Sequence, residues 1–551
     1  MTLSPRSTFG NRWRGPWIWG VLIVTVGLID SWGSRYNLNP DGISYIEMAQ
    51  HALAGAPDGF INGYWSPGYP LLIAPLLALW GHDWVAAIPA LHLVNLVIYL
   101  VAAWLAARLF GAVSAPGLAR HTVAIGSAIF VVIAVKCVGL GLITPDFGVT
   151  LAVLMTAWCC LQVERSYRSW QWSVTLGVVL GLGFWIKGIM LPLNAMLLLA
   201  LFILPPRIHR ARTKIAIATV AFAIVCLPLV VMVSHRVGRP TMGEVGRLNY
   251  AWEVDGVTPF TGWIGDSVPR YGTPHHPPRV LQTVPLTLEF AGPIHATYPL
   301  WFDPSYWYAG IEPHLDIAGQ WRVLLQGLHD LASLAHTQWV LLVSAIALWL
   351  ASVRGVARDF RSRVLLTLAG WSGAAALVYA LVHVEPRYLA GFLLVGAIAA
   401  WSFMSSRTPR PAMRWVAPLV VLAMMVATGR NIFENTGGYQ PAYRPDYLVD
   451  ADKLRAAGVG EGDRLAMIGD AFEAYSAFGA HASITAQLVD STGFWRLSPA
   501  ARSDLQAKLA ATGVKALLAN NVAPEMAAEG WRILARSDSS SNIGVLRLNP
   551  R

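Results

Sequence analysis

The chain has 551 residues, of which 55% are hydrophobic and 13% charged, with a mean hydropathy of +0.48. Apolar runs of about 20 residues recur along it, each long enough for a bilayer helix, so an ordinary soluble protein is excluded and a multi-pass membrane protein expected. The formal net charge of +10 is carried mainly by short connections between apolar runs, which reads as membrane orientation and not as nucleic-acid binding.

Taken in order, the spacing predicts spans near 15–31, 84–107, 121–141, 147–163, 171–187, 189–205, 215–234, 336–353, 364–383, 388–404 and 413–429. About eleven crossings are therefore expected, in an α-helical polytopic fold. The first run lacks a small-residue cleavage site and is read as a retained span. With the N-terminus inside, the basic residues of 6–14, Arg108, Arg120, Arg165, Arg168, Arg207–Lys214, Arg354–Arg363 and Arg407–Arg414 all fall on the inner side. The run 71–80 is apolar but only about half a bilayer long, and is expected to be re-entrant or interfacial. All four cysteines, Cys137, Cys159, Cys160 and Cys226, lie in apolar spans, so neither a disulfide framework nor a metal-ligand spacing is indicated.

Two large outer regions follow. The first, 235–335, is rich in Trp, Tyr, Pro and His and too long for a passive connector. The second, 431–551, reads as a small α/β domain with strands at Arg464–Ile468, Ile484–Leu488, Lys515–Ala519 and Gly544–Leu548, and helices near Ala471–Phe478 and Pro499–Ala511. Residues 1–430 then form a membrane module whose first outer loop is 32–83. Ile468-Gly469-Asp470 ends a strand without a glycine-rich phosphate fingerprint, which makes a nucleotide site a weak reading. Ser537–Ser541 reads as a turn.

The first outer loop is the most informative stretch. Pro40 and Asp41 open a short amphipathic helix that presents Asp41 beside Ser44 and Tyr45, and the segment closes on Tyr64, Trp65, Ser66, Pro67, Gly68, Tyr69 and Pro70. The predicted orientation brings Asp41, the Thr144-Pro145-Asp146 corner, Lys187 and the His383-Val384-Glu385-Pro386-Arg387-Tyr388 connection out on one side. Charged groups at a membrane margin are costly, so two acids and two bases emerging together point to a site. Each has a plainer reading: Asp146 as a helix cap, Lys187 as a snorkelling cation, Arg387 as the partner of Glu385.

Sugar transfer from a lipid-linked donor suits this set. A polyprenyl phosphate keeps its tail in the bilayer and its phosphate at the headgroup plane, where a carboxylate (Asp41) can take the proton of an acceptor hydroxyl and cations (Lys187, Arg387) can stabilise the departing phosphate. Asp146 would orient the acceptor or hold a divalent ion with Asp41, although two carboxylates without a third ligand do not establish a metal site. The run from Ile294 to Tyr308, with Tyr298, Trp301 and Asp303, has the aromatics and hydroxyls of a sugar pocket and equally those of an interfacial belt. His275, His276, His295 and His314 match no metal-ligand spacing.

The acid-led helix Asp41–Met48, the aromatic-proline segment Tyr64–Pro70, Thr144-Pro145-Asp146, the lysine segment Gly183–Gly188 and Glu385-Pro386-Arg387-Tyr388-Leu389 together resemble the motifs of GT-C membrane glycosyltransferases. The closest resemblance is to glycosyltransferase family 39, with its protein O-mannosyltransferases and its aminoarabinose and rhizobial lipopolysaccharide transferases. It covers roughly residues 15–430. It implies an inverting hexosyl or pentosyl transfer from a polyprenyl-phosphate sugar to a lipid, glycan or protein acceptor, on the outer face of a bacterial inner membrane. Asp41 is then the leading catalytic residue with Asp146 beside it, Lys187 and Arg387 bind the donor phosphate, and Tyr45, Tyr64, Trp65, Glu385, Tyr388, Tyr298, Trp301 and Asp303 support or bind substrate. Many relatives carry Asp-Glu in the first motif, whereas Gly42 follows Asp41 here.

Two other classes are weighed against this one. A transporter or lipid-handling protein predicts helices broken at mid-bilayer and internal repeats, and neither is evident. An inactive scaffold keeping the fold would also match the motifs.

Overall fold

The computed structural model describes residues 16–81, 84–114, 119–165, 170–259, 262–352, 362–405, 411–435, 445–471, 474–535 and 542–548. Arg6, Arg12, Arg14, Arg168, Arg354, Arg358, Arg361, Arg407 and Arg410, used above for orientation, lie outside the described residues, as does the turn at Ser537–Ser541.

Each predicted span falls on helix, with 336–353 broken at Gln338. The order is α1 (Pro16–Gly33), α2 (Pro40–Leu53), α3 (Gly68–Trp80), α4 (Trp84–Val113), α5 (Ala119–Ile133, ending in a π-turn at Ala134–Val138), α6 (Asp146–Arg165), α7 (Gln171–Ile186), α8 (Met190–Ile203), α9 (Ala211–Val237), α10 (Val245–Glu253), α11 (Ile317–Thr337), α12 (Trp339–Ser352), α13 (Arg363–Ala380), α14 (Pro386–Ser405) and α15 (Met413–Asn435). Seven of these, α4, α5 with its π-turn, α6, α9, α13, α14 and α15, are individually long and apolar enough to cross a bilayer; α11 and α12 form a further pair bent by 69° at Gln338. The apolar helices α1, α3, α7 and α8 are shorter.

At the centre lies α6, the most enclosed of the seven. Its start is held among α4, α7 and α14, which is what places Asp146 inside the bundle. Close packing here depends on glycine: a Cβ on Gly177 of α7 would run into the backbone of Ala218 on α9. The same holds at Gly68, where a Cβ would lie 2.6 Å from the Trp185 carbonyl oxygen, so the start of α3 sits directly on the end of α7.

The half-length run 71–80 falls within α3. It begins beside the end of α7 and leads into α4, whose His92 and Asn95 bond the carbonyls of Leu140 and Leu142 at that same end of the bundle. The segment from α1 to α4 therefore leaves and re-enters the bundle at one end.

The first-loop helix α2 has a different setting from the lipid boundary expected of it. Every residue from Gly42 to Ala49 is buried, between α3 and the large loop, so both of its faces are covered by protein.

The C-terminal α/β region forms one seven-stranded sheet in the order β1-β2-β4-β3-β5-β7-β6. Its strands are β1 (Arg279–Thr283), β2 (Leu286–Glu289), β3 (Arg464–Ile468), β4 (Ser483–Leu488), β5 (Val514–Asn520), β6 (Arg532–Ala535) and β7 (Asn542–Arg547). The central β4-β3-β5 are parallel and the outer pairs antiparallel. Alternation along β3 explains the two layers. Leu465 and Met467 pack with Leu454 of α16 (Asp446–Ala456) and Phe478 of α17 (Tyr475–Gly479). Ala466 and Ile468 pack with Phe494 of α18 (Ser491–Arg496) and Leu505 and Leu509 of α19 (Pro499–Ala511). Two of the seven strands, β1 and β2, come from the large loop, so the sheet is not confined to 431–551.

One residue ties the sheet to the first loop. The Thr297 N–H donates to the buried Glu47 carboxylate at 2.6 Å, and the Thr297 carbonyl accepts from Ile484 of β4 at 2.7 Å.

Candidate active site

Four helix ends build the site. Pro40, with its fixed φ, starts α2 after the extended Asn39 and puts Asp41 in the first turn. Asp146 is the first residue of α6, following Pro145. Lys187 ends α7: its N–H still bonds Gly183 at 3.0 Å, its own backbone is extended, and the chain turns at Gly188 into α8. Pro386 opens α14, so Arg387 projects from a first turn whose direction the proline fixes.

These four side chains meet. Arg387 lies at the centre: its Nη2 is 3.0 Å from Asp41 Oδ2, its Nη1 3.6 Å from Asp146 Oδ2 and its Nε 2.8 Å from Glu385 Oε2. Lys187 Nζ donates to Asp146 Oδ1 at 2.7 Å and stands 3.5 Å from the centroid of the Tyr388 ring. Tyr388 in turn stacks on Tyr379 of α13. Lys187 is thus turned inward onto a carboxylate and an aromatic face. Arg387 takes Glu385 as one of three acidic partners.

The two acids differ in access. The Asp146 side chain is 1% exposed and that of Asp41 17%. Burial raises the Asp41 carboxyl above its ordinary range, while the charge and hydrogen bond of Arg387 act in the opposite direction. At Glu385 burial also acts upward, but the hydrogen bond from His383 and the charge of Arg387 outweigh it and hold the acid at about 2.

Three cavities adjoin this cluster. The first, about 950 Å³, is walled by Asp41, Tyr45, Tyr64, Trp65, Asp146, Lys187, Tyr379, Arg387 and Tyr388. Sharing Tyr64, Trp65, Ser66, Gly188 and Ile189 with it is an apolar groove of about 1540 Å³, lined by Phe184, Leu191, Phe222, Leu229 and Val233 among others from α7, α8 and α9. The third, about 1300 Å³, is a mouth over Asp41 and Arg387, walled by Trp252, Glu253, Trp301 and Glu385.

An aromatic layer separates groove from mouth. Trp65 packs edge-on against Tyr64 and Tyr45 and lies 5.6 Å from Trp301, whose carbonyl accepts from the Trp65 indole N–H. Asn62 shapes the turn by accepting from the N–H groups of Tyr64 and Trp65.

Tyr45, Tyr64, Trp65, Glu385 and Tyr388 therefore join the four charged residues, and Trp301 reaches the mouth. Tyr298 and Asp303 do not join them. The Tyr298 hydroxyl is buried against Gln487 of β4, and Asp303 pairs with Arg236 at 3.2 Å and caps Tyr306 in a separate cavity. Both are packing residues of the loop, since the aromatic density that resembles a sugar pocket also serves to seat the loop on the sheet. Asn249, which accepts from the Tyr64 hydroxyl, and Trp252 and Glu253 were not legible in the sequence; all three belong to α10, a short helix inside the large loop whose only local signal is its amphipathic period.

A divalent ion shared by Asp41 and Asp146 does not fit this arrangement. The Arg387 guanidinium reaches both carboxylates and Lys187 holds the other Asp146 oxygen. Among the described residues no group of three His, Cys, Asp or Glu converges to hold a metal. His276 stacks on Tyr306, and the His295 carbonyl bonds His51.

The fold, a helical membrane module carrying an α/β domain, is similar to that of solved GT-C glycosyltransferases. Residues 65–232 match the family described as dolichyl-phosphate-mannose-protein mannosyltransferase, a stretch that includes Asp146 and Lys187. The structure is similar to that of ArnT from Cupriavidus metallidurans bound to undecaprenyl phosphate, with a TM-score of 0.56, 14% identity, and 96% of this chain and 98% of that one covered. The apo state of the same protein gives a TM-score of 0.54, also at 14% identity, over 96% and 97% of the two chains. The archaeal oligosaccharyltransferase AglB from Archaeoglobus fulgidus, in complex with an inhibitory peptide and a dolichol-phosphate, gives 0.51 at 12% identity, over 93% of this chain and 70% of its own. Comparison of the sequence with curated proteins finds no match.

Proposed function

We propose that this protein transfers a monosaccharide from a polyprenyl-phosphate donor to an acceptor hydroxyl, in a single inverting displacement. The observation that carries the reading is the position of Asp41. It faces, on one side, a cavity with Lys187 that runs into an apolar groove and, on the other, an open mouth.

A prenyl tail suits the groove, whose walls are aliphatic and aromatic and which lies between helices of the bundle. The donor phosphate then sits near Lys187 and Arg387. Arg387 has donor capacity to spare at Nη1, whose approach to Asp146 is 3.6 Å. As the acceptor oxygen bonds the anomeric carbon, its proton passes to Asp41 and the anomeric carbon–oxygen bond to phosphate breaks. The polyprenyl phosphate leaves with its added charge opposite the two cations.

Asp41 is suited to the base role because burial raises its proton affinity while Arg387 keeps the carboxylate form accessible. Asp146, enclosed and held by two cations, serves to position Lys187 and Arg387. The arrangement needs no metal.

The test is transfer of radiolabelled sugar from membrane lipids in membranes containing wild-type protein or Asp41→Asn. A product that depends on Asp41 supports the reading; equal transfer by both proteins overturns the assignment of the base. The site is proposed to face outward from a bacterial inner membrane, with the N-terminus cytoplasmic and the C-terminal domain periplasmic. A reporter fused after Arg430 should then behave as external and one fused after Arg212 as internal, and the reverse pattern would invert the orientation.

A further inference from the structure

The acceptor side of this site has a chemistry of its own. Three tryptophans, Trp65, Trp252 and Trp301, wall the mouth, and Trp65 and Trp301 are inclined by 58° with centroids 5.6 Å apart. The polar groups between them are acids and amides. Glu253 and Glu385 have side chains 43% and 37% exposed, and Asn39 and Asn249 line the same space. The Asn39 side-chain oxygen is buried with no hydrogen-bond partner among the described residues.

The charges facing the mouth are Asp41, Glu253 and Glu385 against Arg387 and His383. Neither base offers a free donor on the side of the mouth. Arg387 turns Nη2 to Asp41 and Nε to Glu385, leaving Nη1 on the Asp146 side for the donor phosphate, and His383 stands between Glu253 at 3.8 Å and Glu385 at 3.5 Å. Lys187, the other cation of the cluster, lines the inner cavity and not the mouth.

We propose, building on the glycosyltransferase reading above, that the acceptor is a neutral carbohydrate, whose ring lies against Trp301 and Trp252 and whose hydroxyls bond Glu253, Glu385 and Asn39. Flat apolar faces cover the C–H face of a pyranose or furanose, and carboxylate and amide oxygens accept from its hydroxyls. An acceptor carrying phosphate beside its reactive hydroxyl would face Glu253 and Glu385 without a free cation on that side, and like-charge juxtaposition of this kind disfavours its binding. The two substrates thus arrive from chemically opposite sides: the anionic donor from the cationic, lipid-facing cavity, the uncharged acceptor from the acidic, aromatic one.

The experiment uses the full-length protein in membranes. The donor probe is the pool of labelled lipid-linked sugars in those membranes. Three acceptors are supplied in parallel: dephosphorylated oligosaccharide from the cell envelope, a phosphorylated glycolipid, and a Ser/Thr-rich peptide. Label should pass to the neutral oligosaccharide. Trp301→Ala should raise the acceptor concentration for half-maximal transfer about tenfold, with the donor dependence unchanged and Trp301→Phe restoring most of the difference, as expected for about 1.4 kcal/mol of ring contact. Label found only on the phosphorylated glycolipid or the peptide overturns the acceptor class while leaving the transferase reading intact. A shift in donor dependence with Trp301→Ala overturns the assignment of the mouth. No transfer to any acceptor, and no sugar released to water, overturns the transferase reading itself.

Discussion

Asp41 and Asp146 are the same side chain in the same local position, the first turn of a helix, and they meet at the same arginine. Yet one is buried in the wall of a single cavity and the other opens onto two. Asp146 has a lysine at 2.7 Å and an arginine at 3.6 Å with 1% of its side chain exposed; among the described residues Asp41 is ion-paired with the arginine, and Lys187 acts on it from farther away. Two cations in a closed site keep a carboxylate ionised and immobile. One cation with access to solvent leaves a carboxylate able to take up a proton and pass it on. The proposed base and the residue that holds the cations thus differ in their surroundings, although sequence position treats them alike.

The largest expected effect tests that division directly. Asp41→Asn should lower transfer by about 10²–10⁴, the range for loss of a general base, with thermal stability close to wild type. A folded Asp41→Asn protein with full turnover would erase the distinction. Asp146→Asn should instead unfold more easily, by about 3 kcal/mol, because it leaves Lys187 enclosed without its counter-charge. Asp146→Asn combined with Lys187→Met should recover part of that stability, and a thermal melt of the three proteins would show it; equal stability of single and double variants would mean that Lys187 does not depend on Asp146.

A subtler effect lies in pH. Arg387 lowers the proton affinity of Asp41 while burial raises it. The acid limb of the wild-type rate profile should therefore fall above pH 3.8, the ordinary carboxyl value. In Arg387→Ala the residual activity should show this limb at still higher pH. A limb that stayed in place would remove Arg387 from the electrostatics of the base.

The smallest effect concerns Glu47, six residues from Asp41 on the same helix. Burial, opposed by the Thr297 N–H, raises this acid from 4.5 to about 7. A raised folded-state pKa favours the protonated form, so the contribution of Glu47 to stability is full below pH 4.5 and declines as the pH rises toward 7. Glu47→Gln should flatten that slope in melts taken across the interval, and an unchanged slope would place the titration elsewhere.

The parts legible from sequence were those with a local or a counting signal. Span lengths and arginine bias sufficed to bring Asp41, Asp146, Lys187 and Arg387 to one end of the bundle, because Asp146, Lys187 and Arg387 lie at span boundaries and Asp41 in the loop after the first span. The strand Arg464–Ile468 and the helix Pro499–Ala511 had the period of a half-buried strand and a capped helix, and both have those bounds. What could not be read was long-range. Leu286–Glu289 joins the sheet through pairing with residues about 200 positions later, and nothing in its own composition distinguishes it from loop. Tyr298 looked like a substrate contact because a buried tyrosine and a sugar-binding tyrosine have the same local sequence. Only Gln487 opposite its hydroxyl separates them. The burial of α2 was hidden for a related reason: an amphipathic period shows one apolar face but not what covers the other.

Strands β1 and β2 belong to a sheet whose remaining five strands follow the last membrane helix, and this sets rules for anyone taking the molecule apart. A cut at residue 431 would leave β4 with an unpaired edge on one fragment and an orphan hairpin on the other. The two halves are not interchangeable modules. A chimera that exchanges the C-terminal domain must carry residues 279–298 with it, or the graft arrives without two of its own strands and without the residue that reaches the helix bearing Asp41.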